Sequence, residues 1–126
     1  MKVKSICGVI LTTNRLEEMR SFYSNILGLP LEKEEHGDLL VHYGTDLGQV
    51  HFALHPPADF NLDHPGNATA KIAFEVENLD ACIQKLASAD YPLFQPARDE
   101  GFGPVASLKD PDGNLVELVE LRYDFS

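Results

Sequence analysis

A chain of 126 residues has the length of one compact domain and can bury a core without disulfide or metal staples. Its 44% hydrophobic and 24% charged residues are the balance of a globular protein rather than a disordered one. A formal charge of -10 and a pI near 4.7 argue against nucleic acid and anionic membranes as partners, because phosphate binding needs clustered basic side chains.

No apolar run of about 18 residues is present, so no membrane-spanning helix is expected. The first residues lack a small-residue cleavage site and run directly into a helix pattern, so they are read as mature protein. Cys7 and Cys82 lie far apart without C-x-x-C spacing. They are expected to be reduced, core-packing thiols of a cytoplasmic protein.

In chain order, Ser5 to Thr12 is rich in β-branched and apolar residues and predicts a strand. Asn14 with Glu17 three residues on is a capping-box-like helix start, and Leu16, Met19, Tyr23 and Ile26 follow at helical spacing. Gly28 and Pro30 end that helix. Strands are predicted at Leu31 to Glu35, Leu39 to Tyr43 and Gln49 to His55. The gaps His36-Gly37-Asp38 and Gly44 to Gly48 are read as turns. Pro56 to Thr69 holds three prolines and no period, and reads as a long connection.

The same order then recurs. Ala70 to Val76 predicts a strand, Asn78 a helix cap, and Leu79, Cys82, Ile83 and Leu86 an apolar helix face. Pro92 to Gln95, Val105 to Leu108 and Leu115 to Leu121 predict strands. Arg98 to Pro104 reads as a loop, and Asp110-Pro-Asp-Gly-Asn114 as a turn in which Pro111 presets φ and Gly113 takes a left-handed conformation. Placing Leu79 on Leu16 also places Lys71 on Gly8 and brings Glu117 near Ala53. The fold class is therefore α+β: two βαβββ modules, about 1–56 and 70–126, joined by a linker at about 57–69 in a single domain. Sheets left open on one face predict a curved mixed sheet around a central cavity, with the helices outside.

The runs FYSNILGLPL (Phe22 to Leu31) and DPDGNLVELVE (Asp110 to Glu120) resemble signature stretches of the vicinal oxygen chelate (VOC) family of glyoxalases, ring-cleaving dioxygenases and bleomycin-resistance proteins. AKIAFEVENL (Ala70 to Leu79) and Gly101-Phe102-Gly103 resemble further parts of that pattern in the expected order. The resemblance implies a metal held by inward side chains of the first, fourth, fifth and eighth strands. The matching positions are Gly8, Ala53, Lys71 and Glu117. Of these only Glu117 can ligate a metal, since a protonated lysine has no lone pair. The expectation is a degenerate site with no cofactor and no metal ligands. A divalent metal on His51 or His55 with Glu117 is the exception left open, because both histidines share the Ala53 face.

Glu117 is the candidate catalytic residue, as a carboxylate in the otherwise apolar run Leu115 to Val119. Lys71 is the candidate replacement for the metal, neutralising Glu117 and holding a ligand oxygen. His42 and His51 are polar strand residues suited to ligand binding, and Arg98 and Phe102 are placed in a loop able to close over a ligand. The Glu32 to Glu35 charge run reads as a solvated face, and His36 and His64 receive no chemistry. No hydrolase, P-loop, dinucleotide or H-E-x-x-H motif is present.

The resemblance implies a glyoxalase-like protein that binds, and in its enzymatic form transforms as a lyase or isomerase, a small oxygenated metabolite. A drug- or toxin-sequestering protein of the bleomycin-resistance type is the first alternative, and a metal-dependent lyase or dioxygenase using His51 and Glu117 the second. The expected partners are a small-molecule ligand and a second copy of the chain in a homodimer.

Overall fold

The structure is a computed structural model that describes residues 1–35, 40–62, 70–99 and 101–122. The chain divides into two compact units, Met1–Asn67 and Ala68–Ser126. Each unit contains one four-stranded mixed sheet and one α-helix, which is the α+β, twofold βαβββ pattern expected from the repeat.

In the first unit, β1 (Gly8–Thr12), α1 (Leu16–Ser21), β2 (Glu32–Glu34), β3 (His42–Leu47) and β4 (Val50–His55) follow in turn. Their order in the sheet is β1-β4-β3-β2, with β1 parallel to β4 and the other pairs antiparallel. Alternation sorts the side chains. Phe52 and Tyr43 face the helix side, where Phe52 meets Tyr23 at 5.0 Å between ring centres and Tyr43 donates a 2.8 Å hydrogen bond to Glu17. Met19, Phe22, Tyr23, Phe52 and Leu54 are buried there, and truncating a leucine such as Leu54 to alanine costs about 2–5 kcal/mol.

Three local expectations in this unit are corrected. Asn14 does not cap α1: Arg15 holds the cap position without a side-chain bond, while Thr13 Oγ1 accepts the Arg15 N–H at 2.9 Å. The side chain of Glu17 is drawn instead to Tyr43 and Arg20. The helix continues as one π-helical turn, Phe22–Ile26, which no 3.6-residue period reveals. Strand β3 runs on to Leu47, so the β3–β4 turn is only Gly48-Gln49, with Gly48 at φ 60°. Gly44 belongs to the strand. The predicted turn at 36–38, the start of the third strand at Leu39, and His64 lie outside the described residues.

In the second unit, β5 (Lys71–Glu75), α2 (Leu79–Ser88), β6 (Gln95–Asp99), β7 (Pro104–Lys109) and β8 (Leu115–Val119) repeat the pattern as β5-β8-β7-β6. Asn78 caps α2, its Oδ1 accepting the Ala81 N–H at 3.0 Å, and Glu120 Oε1 accepts the Leu79 N–H at 2.9 Å. β8 ends at Val119 rather than Leu121. The buried Asp110 carboxylate accepts the N–H groups of Asp112 and Asn114 and the side-chain amide of Asn114. Gly113 closes this turn at φ 92°. Asn114 Oδ1 in turn accepts the Ala70 N–H, tying the start of β5 to the start of β8. The DPDGN segment thus sets the register on which Lys71 and Glu117 depend.

The sixth strand is displaced from the predicted Pro92 to Gln95, and Arg98 lies in it rather than in a loop. A register shift between Gln95 and Arg98 against β7 accounts for the difference, since an extra residue in one strand breaks the alternation that sequence reading relies on. Cys7 is exposed, against expectation. Cys82, on α2, is partly buried, and that burial pushes its thiol pKa up.

The Tyr43 hydroxyl, followed by Arg20, holds the Glu17 carboxyl below its ordinary value of 4.5, and the same bond raises the Tyr43 phenol above 10.0. A carboxylate with a lowered folded-state pKa contributes stability at neutral pH that is lost as pH falls through that value. Tyr43→Phe should therefore move Glu17 back toward 4.5 in a carbon-13 NMR titration and flatten the stability profile below pH 4.5. An unchanged Glu17 titration would show that the bond is not formed.

Candidate functional site

Each sheet carries a polar cluster on the face away from its helix. On the first sheet, the register aligns Glu34, His42 and His55 in one row across β2, β3 and β4, and Asp46 with His51 in another. His42 and His55 stack with ring centres 3.8 Å apart and 17° between planes. His42 Nδ1 donates to the Leu40 carbonyl at 2.9 Å, a carbonyl being able only to accept. His55 Nδ1 meets Asp59 Oδ2 at 2.9 Å, and Asp59 Oδ1 accepts the Leu40 N–H at 2.8 Å.

Asp59 arrives through a 3₁₀ turn, Pro57–Phe60, for which Pro57 presets φ. Burial pushes its carboxyl pKa up, but the Leu40 N–H, the His55 imidazole and the nearby His42 together hold it below 3.8. Glu34 reaches across the row, with Oε2 3.5 Å from His42 Nε2 and Oε1 3.7 Å from His51 Nε2. Gly44 makes this passage open: a Cβ there would collide with Glu34 Oε1 and stand 2.8 Å from His51 Nε2. His51 Nδ1 is held by Asp46 at 2.7 Å.

On the second sheet, Glu117 is opposite Ala73 of β5 and Ser107 of β7, and its side chain is 12% exposed. Arg98 Nη2 donates to Glu117 Oε2 at 3.1 Å, and Lys71 Nζ lies 3.5 Å from Glu117 Oε1. Arg98 Nη1 also donates to Ser107 Oγ at 3.3 Å, and Ser107 Oγ donates to Gln95 Oε1 at 3.4 Å. Gln95 and Arg98 are three residues apart and would point to opposite faces of a regular strand. The bulge between them puts both on the Glu117 face.

The structure thus brings together Lys71, Arg98 and Glu117, and separately His42 with Glu34 and His51. Phe102 is exposed, and its carbonyl accepts the Arg122 N–H at 2.9 Å. Sequence reading missed Glu34, Asp59, Ser107 and Gln95, and gave His55 only a minor part. Glu34 was hidden in a charge run and Asp59 in a proline-rich connection; a short His55-Pro-Pro-x-Asp59 spacing was the available signal. An apolar hollow of about 410 Å³ beside Leu86 and Tyr91, at the end of α2, carries none of this chemistry.

The four positions at which the family resemblance implies a metal do not fit one. Gly8 and Ala53 have no donor side chain, Lys71 offers an ammonium, and both oxygens of Glu117 are on cations. The described residues do contain one other group suited to a metal: His42, His55 and Asp59 each offer a ligand atom within 4.8 Å of the others.

Residues 5–118 match the model of the Glyoxalase/Bleomycin resistance protein/Dioxygenase superfamily, and the chain belongs to that family. It is 29% identical over 113 residues to biphenyl-2,3-diol 1,2-dioxygenase 2 of Rhodococcus globerulus, covering 87% of this chain and 59% of that protein. The chain therefore spans less than two thirds of that curated relative. Among solved structures, TnmS3, an antibiotic binding protein from Streptomyces sp. CB03234, superposes with a TM-score of 0.77 at 16% identity, over 96% of this chain and 98% of that one. Lactoylglutathione lyase from Agrobacterium tumefaciens gives 0.72 at 19% identity, over 95% and 96%. At these identities the structural likeness shows the fold.

Removing Arg98 leaves a largely buried carboxylate with one exposed ammonium for a partner. Arg98→Met should cost about 1–3 kcal/mol in denaturant unfolding, the penalty for an unsatisfied buried acceptor. Adding Glu117→Gln should recover at least half of it, because the stranded charge is then gone. Additive losses would show that the two side chains are not coupled.

Proposed function

We propose that this chain binds a small oxygen-bearing molecule through Lys71 and Arg98, with no ion on Glu117. The observation that carries this reading is the pairing of two cations with one carboxylate. Lys71 and Arg98 both reach Glu117, so two cationic groups gather at one carboxylate in an otherwise acidic chain. Lys71 is 60% exposed and free to turn toward a ligand, while Arg98 is oriented by Ser107. A carboxylate or carbonyl oxygen placed between them accepts charge-assisted hydrogen bonds, the strong kind. Glu117 positions the two cations. For it to act as a base, accepting a proton would break both ion pairs, so binding is favoured over proton abstraction.

The sequestering function of some family members is the form this reading takes, and the likeness to TnmS3, an antibiotic binding protein, supports it. A homodimer, and the reading of both modules as one folding unit, belong to the same proposal. Light scattering and a single cooperative unfolding transition check them.

Oxalate and pyruvate, as small molecules with neighbouring oxygens, should raise the melting temperature and bind in calorimetry. Lys71→Gln and Arg98→Gln should each weaken that binding about tenfold, the share of one charge-assisted hydrogen bond. Stoichiometric divalent metal that is lost on Glu117→Gln would overturn the reading, as would ligand binding indifferent to both cations.

A further inference from the structure

We infer that His42, His55 and Asp59 form a binding site for a divalent transition metal of the zinc class, lying within the first sheet and using none of the four positions implied by the family resemblance. The donor atoms come within 4.8 Å of one another, and tetrahedral ligands bonded at about 2.0–2.2 Å stand about 3.4 Å apart, so rotamer-sized adjustments close the set. Two imidazoles and a carboxylate suit zinc, nickel, cobalt or iron(II) in preference to magnesium or calcium.

The three side chains are buried, at 2%, 7% and 2% exposure, so water competes weakly for the ion. Their placement is fixed by the backbone. His42 and His55 are one row of the β3–β4 pair, and Asp59 is returned to them by the Pro57–Phe60 turn. His55 Nδ1 meets Asp59 itself, and His42 Nδ1 meets the carbonyl of Leu40, whose N–H holds Asp59. His55 Nδ1 thus faces Asp59, and the His42 ring stacked on His55 supplies the third donor.

Binding at Nδ1 requires each neutral imidazole to carry its proton on Nε2, a tautomer change that releases no proton. For His42 that proton then points at Glu34 Oε2, now 3.5 Å away. Glu34 thus becomes the carboxylate that orients a metal-bound histidine, the usual outer partner of such ligands. Gly44 leaves the space for Glu34 to lie there. The ion would replace the imidazole hydrogen bonds to Leu40 and Asp59 and offset the negative charge of the Asp59 carboxylate.

The test uses the full chain, stripped with a chelator and titrated with Zn²⁺ alone in a calorimeter. One ion per chain is expected. His55→Gln and Asp59→Asn should each weaken it about 100-fold, Glu34→Gln about tenfold, and Glu117→Gln not at all. Should either ligand variant fail to fold, Co²⁺ bound to the unmodified chain reports directly. Paramagnetic shifts on the ring protons of His42 and His55, with His51 little affected, support the site. Absence of uptake by the unmodified chain, uptake indifferent to His55 and Asp59, or shifts centred on another histidine would overturn it. Loss of metal on Glu117→Gln would instead bear against the proposed function.

Discussion

The pairing of His42 with His55 across β3 and β4 is the constraint around which the polar side of the first unit is arranged. Side chains directly opposite on antiparallel strands are held close by the backbone itself. The two imidazoles therefore stack whether or not their chemistry favours it. Two stacked rings bring four nitrogens together in a buried place, and each needs a partner. Leu40, Asp59 and Glu34 stand against three of the four, and Asp59 and Glu34 each draw a further element into position. Asp59 requires the turn after β4, and Glu34 requires an unobstructed path beside Gly44.

The second unit solves a different problem with the same topology. Its buried acid, Glu117, lies in the middle of the sheet with no stacked partner. An isolated carboxylate so placed would be costly, and the two cations offset that cost. One comes from β5, whose register the Asp110–Asn114 turn secures through Ala70. The other depends on a bulge in β6. Both sheets thus hold acids, but the first surrounds them with imidazoles, whose nitrogens can offer lone pairs, and the second with cationic groups that cannot. Transition-metal chemistry suits the former, and oxygen-ligand binding suits the latter.

How far the sequence revealed this follows the kind of signal each residue carried. Helix faces, the Asn78 cap and the DPDGN turn rest on local chemistry, and all three stand in the structure. The repeat was legible because the same offset places Lys71 on Gly8 and Leu79 on Leu16, which are the first residues of matching elements. The Arg98 assignment to a loop failed because a bulge is a relation between two strands, and no single stretch of sequence encodes it. Gly44 misled for a related reason. Glycine marks turns when read along a chain, but here its missing side chain makes room for Glu34 from the next strand.

Asp59 shows the same limit from the functional side. Within Pro56 to Thr69 it is one acid among prolines and polar residues, and nothing local separates it from a solvated loop residue. Its role comes from burial together with three partners: the Leu40 N–H, the His55 imidazole and the neighbouring His42. Two of the three are far from it in sequence. A family pattern based on the first, fourth, fifth and eighth strands also points away from it, toward Gly8 and Ala53, which carry no donors. The consequence is specific to this chain: metal-binding side chains are absent from the inherited positions of the first sheet, yet a compact set of them stands a few residues away on the same face. An inherited site can thus be emptied without the sheet losing its capacity to hold an ion, because Ala53 and His55 share a face and differ by only one step of the strand's alternation.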